Sequence, residues 1–240
     1  FEGALLMQCD FSQTHFRRAR LAGALLLESV WGATDWSGAQ LPRQLFHKAD
    51  LKQVVWAQAE LSGATFVECD MNGIDLTAAR LAQATFTTCQ LDGAQLAGVR
   101  AEGALFVQGC TLAGANLEQA VLRRANLGGA QMPGARLARA VLDGAFLSGA
   151  QLSDADLRLA SAKAALLRKT VLRRAQMAGF NGQDAILQHA DLRGADLRRS
   201  NLFGADLSRV RLDGDVRLND ALLTRARTWP RLSPEQQAAP

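Results

Sequence analysis

Four cysteines, three histidines and a set of evenly placed aspartates are the residues of this 240-residue chain with the means to do chemistry. Cys9, Cys69, Cys89 and Cys110 would form a zinc site if pairs of them stood about two to four residues apart. Their intervals of 60, 20 and 21 residues match no such motif. They read instead as reduced, buried thiols filling small apolar places, with a disulfide between successive members still geometrically open. His15, His47 and His189 stand at three different places relative to the surrounding pattern, and none has a companion that would make it a base for a serine or cysteine nucleophile. Asp50, Asp70, Asp75, Asp156, Asp191, Asp196 and Asp206 suggest an acidic array for acid–base work or calcium. Each, however, directly precedes a large apolar residue, where a short carboxylate bonds the backbone nearby. No glycine-rich phosphate loop follows a strand. The expectation is a chain with no catalytic residue, no cofactor and no metal.

Charge is the more informative signal. Residues 1–110 carry 8 Lys and Arg against 11 Asp and Glu, net −3, and residues 111–240 carry 19 against 12, net +7, which together give the overall +4. Within the basic half, residues 157–183 contain no acid and six cations: Arg158, Lys163, Arg168, Lys169, Arg173 and Arg174. With Arg193, Arg198 and Arg199 they form a candidate belt for docking an acidic partner, the alternative being a solvated surface.

Every one of these residues is positioned by the same device. From Phe1 to Phe106 each fifth residue is Leu, Phe, Trp or Met, except Ala101; after one inserted residue near Gly109 the beat resumes at Leu112 and runs to Leu212, broken only by Ala162 and Gly182. The residue two before each of these centres is small nearly throughout, as at Ala19, Ala24, Ala39 and Ala64, and at every fifth residue from Ala115 to Ala165. Neither a helix nor a strand buries every fifth side chain. Two inward residues in five, with a turn-forming pair such as that ending in Gly93, Gly144 or Gly204 after the centre, describe a chain that turns a corner every five residues. Phe46, Phe66, Phe86 and Phe106 recur at 20, as do Trp36 and Trp56, and the cysteines share one 20-residue column once the insertion is allowed for. Four corners per repeat give a square coil, and like residues stack between coils at about 4.8 Å. Its core of Leu and Ala leaves no room for the several hundred Å³ of a small-molecule site.

Ala-Asp-Leu-Arg-Gly at 190–194, Ala-Asp-Leu-Arg-Arg at 195–199 and Ala-Asp-Leu-Ser-Arg at 205–209 resemble the A(D/N)LXX repeat of the pentapeptide-repeat family, over about nine tenths of the chain. The resemblance implies an all-β fold, a right-handed quadrilateral β-helix of about 11–12 coils of 20 residues. Thr228-Trp229-Pro230 is similar to the way bacterial members close. Members of the quinolone-resistance type bind DNA gyrase by resembling acidic DNA, a role the positive net charge disfavours. Similar repeats stand at the C-terminal ends of type VI secretion accessory proteins, which implies an adaptor role in effector loading.

The organisation expected is a β-helix over 1–218 with a register shift near 109–110, a capping segment over 219–230 in which Trp229 covers the last coil, and a flexible tail over 231–240. The start at Phe1, already within the pattern, points to a piece of a larger bacterial protein whose uncapped first coil meets an upstream domain or a second copy as a homodimer. Pro42–Lys48 and Phe180–Asp184, where the repeat loses its Ala or Leu, are expected as bulged loops. With no membrane span and no signal peptide, the reading is a cytoplasmic, non-catalytic protein-interaction or scaffold module. Its partner is another protein, since the cations lack the interleaved aromatics of nucleic-acid binders.

Overall fold

The computed structural model describes residues 1–229; the expected tail at 231–240 lies outside them. Each five-residue unit makes one side of a square. The residue before the centre faces outward and bridges its counterpart on the next coil, the centre points inward, and the second residue after it turns the corner with a left-handed backbone. Gly103 holds that conformation at φ 66°, and where glycine is absent a long polar residue such as Gln83 (φ 58°) or Arg124 (φ 56°) bears it. Four sides close a coil of 20 residues, and the result is a right-handed quadrilateral β-helix of about 11 coils, with no helix among the described residues. We number the sides by the columns running through Phe66, Met71, Leu76 and Leu81, first to fourth.

The eight strands among the described residues all lie in the first-side column: β1 (Leu5–Met7), β2 (Leu25–Leu27), β3 (Leu45–His47), β4 (Thr65–Val67), β5 (Thr85–Thr87), β6 (Leu105–Val107), β7 (Asp206–Ser208) and β8 (Arg227–Trp229). They pair in parallel as β1-β2, β3-β4-β5-β6 and β7-β8. The other sides are joined by single bridges, such as Glu60 to Arg80 and Asp75 to Gln95. Backbone groups alternate between the coils on either side, Arg80 N–H donating to Ala59 and Leu61 N–H to Arg80, both at 2.9 Å.

The insertion near Gly109 changes the bridge interval from 20 to 21, as at Gln90 to Thr111, and Gly109 takes φ 79° there. A second insertion falls between the Asp191–Arg211 bridge, at 20, and the Asp196–Arg217 bridge, at 21. Residues 219–229 continue the winding, and β8 pairs along β7 through Leu207 and Thr228. Trp229 is 68% exposed at the end of that strand and does not lie across the last coil as expected.

The core is a ladder. Phe46, Phe66, Phe86 and Phe106 stack with centroids 4.9, 4.8 and 4.7 Å apart, and Trp36 stacks on Trp56 at 6.3 Å. Cys69, Cys89 and Cys110 are buried free thiols in the column otherwise held by Ala49 and Ala130. Their Sγ groups donate to the carbonyls of Phe46, Phe66 and Phe86 at 3.4, 3.4 and 3.2 Å.

The two expected bulges are regular coil. Gln44 takes the inward small-residue place and keeps its amide within reach of the Leu45 carbonyl at 3.3 Å. Phe180 and Gly182 exchange roles: Phe180 occupies the small position, fully buried, and fills the space left at the glycine centre, where a Cβ would meet its Cε1 at 2.7 Å. Volume is conserved across the pair, so no loop is needed.

Candidate functional surfaces

The interior is filled from end to end, so any recognition falls to the sides. All seven aspartates weighed as an acidic array are spent locally. Asp50, Asp70, Asp75, Asp156, Asp191, Asp196 and Asp206 each accept a bond through Oδ1 from the backbone N–H two residues on, at 2.8–3.3 Å, which ties the corner after the centre. Among the described residues no group of three or more His, Cys, Asp or Glu could hold a metal. His15 and His47 lie within 4.0 Å of Asp35 and Glu68 respectively, both on the surface.

The belt residues circle one coil, a side at a time: Arg158 on the third, Lys163 on the fourth, Arg168 and Lys169 on the first, Arg173 and Arg174 on the second. Much of their charge is answered by acids on neighbouring coils or just before them. Asp191 takes Arg173 and Arg193, both at 2.7 Å, and Asp154 takes Arg174 at 2.7 Å. Arg193, outweighing burial, and then Arg173 hold the Asp191 carboxyl well below the usual carboxylate range. Asp156 and Asp196 hold Arg158 and Arg198, each at 2.6 Å, and Asp220 approaches Arg199 at 3.7 Å. Lys163, Arg168 and Lys169 make no salt bridge with a described residue.

Two lateral surfaces stand out. On the first side, the outward residues of β1 and of β3 to β6, with Leu25 of β2, are Leu, Met, Thr and Val apart from His47. Leu5, Leu25 and Leu45 are 60, 55 and 47% exposed, and beyond Leu105 the column runs through Asn126 to Phe146, Leu166 and Ile186. Phe146 lies over Gly128, where a Cβ would meet its Cε1 at 2.3 Å. The second surface is at the corner following the third side. There a depression of about 660 Å³ is lined by Arg139, Arg158, Leu159, Gly179 and Arg199, and it shares Ala178 and Arg199 with another of about 560 Å³ that reaches Arg217. Arg139, Leu159 and Arg217 were not among the residues singled out in the sequence, because the cations of this corner come from four different coils.

A coil that stacks like units and contacts only its neighbours along the rod defines a β-solenoid repeat protein. Family models for pentapeptide repeats match residues 39–117, as a pentapeptide repeat region, and 107–174 and 183–214, as runs of pentapeptide repeats. The chain belongs to the pentapeptide-repeat family, whose members are non-catalytic interaction modules.

Among solved structures it is similar to QnrB1, a plasmid-mediated fluoroquinolone resistance protein, at 17% identity and a TM-score of 0.52, covering 79% of this chain and 91% of that one. A second QnrB1 structure matches at 16% identity and a TM-score of 0.50, covering 94% and 91%. HetL, a pentapeptide-repeat protein involved in heterocyst differentiation regulation in the cyanobacterium Nostoc, is 29% identical with a TM-score of 0.43, covering 94% and 90%. No curated protein matches the sequence. Among the described residues no helix is long and apolar enough to cross a membrane.

Proposed function

We propose that this rod is a protein-docking module that holds another protein along its side. The observation that carries the reading is the uncharged sheet face on the first side. Single exposed leucines are ordinary, but an uncharged face of Leu, Met, Val and Thr running across six coils, with Leu5, Met7, Leu25 and Leu45 exposed at one end of it, is the kind of surface that marks an interaction site. A rigid ladder core suits such a role, because the face costs little ordering entropy on binding. The finer reading, an adaptor in effector loading, rests on the sequence resemblance to type VI secretion accessory proteins alone. The gyrase-directed alternative needs a continuous acidic face. Lys52 sits between Asp50 and Asp70, at 3.3 and 2.8 Å, and interrupts the most acidic stretch available.

The test is site-specific photo-crosslinking of the full-length protein in its native cell, with the photoreactive residue at Leu45 on the apolar face or at Gln131 on the polar second side. A discrete protein adduct from position 45 and none from 131 supports the proposal. No adduct from 45, or equal smears from both, removes it.

A further inference from the structure

We infer that the corner groove between Arg139 and Arg217 binds an extended acidic peptide segment carrying an apolar side chain, an inference that rests on the protein-docking reading above. Arg139, Arg158, Arg198, Arg199 and Arg217 project around a floor of Ala138, Ala178 and Gly179, so guanidinium groups rim a shallow apolar trough. Arg139 and Arg217 make no salt bridge with any described residue, which leaves the rim positively charged after Asp156, Asp196 and Asp220 have taken their partners.

Leu159 marks the centre. It is the one large apolar residue among the described non-glycine residues with positive φ, at 59°, a conformation that disfavours bulky side chains. It is nevertheless 57% exposed and leans over Gly179, where a Cβ would meet its Cδ2 at 2.7 Å. Elsewhere the corner position holds glycine or, in most other cases, a polar residue such as Gln119 or Arg139. A leucine held there against both backbone preference and solvent gives the trough an apolar contact in the middle of a cationic rim.

A peptide fits this pattern better than a nucleic acid. Carboxylates pair with separate arginines while an aliphatic side chain meets Leu159 and the alanine floor. A phosphodiester chain would leave Leu159 and the alanine floor without an apolar partner and would find no exposed aromatic in the groove to stack on. Winding aligns the groove with the rod axis, crossing coils at about 4.8 Å, so a segment extended along it meets one arginine-bearing coil after another.

The probe is a fluorescein-labelled decapeptide of Asp and Glu with one central Leu, read by fluorescence anisotropy against the intact chain at low salt. Saturable binding is expected. Reversing two rim charges together, Arg139→Glu with Arg199→Glu, weakens it about tenfold. Leu159→Gly, which suits the left-handed backbone and so keeps the fold, weakens it about fivefold, as does replacing the peptide's Leu by Gly. Arg123→Glu with Arg124→Glu, an equal charge change on the fourth side, leaves binding within twofold of the parent, a ratio of about 0.4 kcal/mol. No binding of the peptide, equal loss from both charge reversals, indifference to Leu159→Gly, or tighter binding of a short DNA duplex each overturns the proposal. None of these bears on crosslinking from position 45, so the docking reading stands or falls separately.

Discussion

Replacing Phe86 by leucine tests whether the ring ladder stabilises this solenoid beyond the area it buries. Phe86 is stacked on both faces, with Phe66 at 4.8 Å and Phe106 at 4.7 Å, each within 4° of parallel. Phe106 has one stacked neighbour, because the next coil places Leu127 in the column. Leucine is what this column carries at 26, 127 and 147, so it fits the inward geometry. The exchange costs about 1 kcal/mol for the altered shape at either site. Each lost ring contact adds about 1 kcal/mol. Phe86→Leu should therefore destabilise by about 3 kcal/mol and Phe106→Leu by about 2 kcal/mol, with a coupling of about 1 kcal/mol between them in the double variant. Both sites sit on adjacent coils and report on the same cooperative stretch of the rod. Guanidinium unfolding followed by far-ultraviolet circular dichroism, with m unchanged among the four proteins, measures all three quantities. If Phe106→Leu costs as much as Phe86→Leu, or the cycle closes with no coupling, the rings act only as filler and the reasoning fails.

The remaining predictions concern thiols, pH, a single steric contact and a rival function. In the native protein a thiol reagent should label Cys9 ahead of the others, since Cys69, Cys89 and Cys110 are buried and burial pushes the Cys110 thiol up to about 11; four thiols should react once it is denatured without reductant, and fewer would mean a disulfide. Burial pushes the Asp35 carboxyl up, but the Ser37 hydroxyl and N–H together with Arg17 outweigh it and hold it at about 2. Its folded value lies below the unfolded one near 3.9, so its contribution is complete above that value and is lost as pH falls toward 2; Asp35→Asn should remove a slope worth about 1 kcal/mol in that window, given how exposed Arg17 is. Gly128→Ala should cost about 1 kcal/mol by displacing the Phe146 ring, and Phe146→Ala in the same chain should recover most of it in thermal melts; no recovery would place the strain elsewhere. DNA gyrase supercoiling should proceed unchanged at micromolar concentrations of the rod, and inhibition would reinstate the DNA-mimic alternative.

Much of the fold was legible because the constraint is local and repeated. A five-residue beat with a small residue two before each centre can be satisfied only by a chain that turns at fixed intervals, and the 20-residue recurrence of Phe46 to Phe106 reads off the number of sides. The pattern was less reliable wherever it broke. Phe180-Asn181-Gly182 looks like a lost repeat when each position is scored alone. Scored as a pair it conserves volume, and the structure keeps the coil regular by putting the ring where the glycine leaves room. Trp229 misled in the opposite way. Its size suggested a cover, but as the outward residue of β8 it belongs to the sheet face and points to solvent.

The candidate surface was harder to see because charge was counted along the chain, and in a solenoid the electrostatic neighbours lie along the axis. Residues 157–183 contain no acid, yet Arg173 meets Asp191 eighteen residues on and Arg174 meets Asp154 twenty residues back. The belt that looks uniformly basic in sequence is a ring whose second side is nearly neutral. Conversely, Arg139, Arg158, Arg199 and Arg217 never share a window of the sequence short enough to register as a cluster, although the winding brings them to one corner. Separation along the chain is thus a poor guide to distance here, and the useful coordinates are the column and the coil. Read down columns, the charges bring five arginines to the corner after the third side, two of them in no salt bridge with a described residue, and Leu159 is the apolar residue standing in its middle.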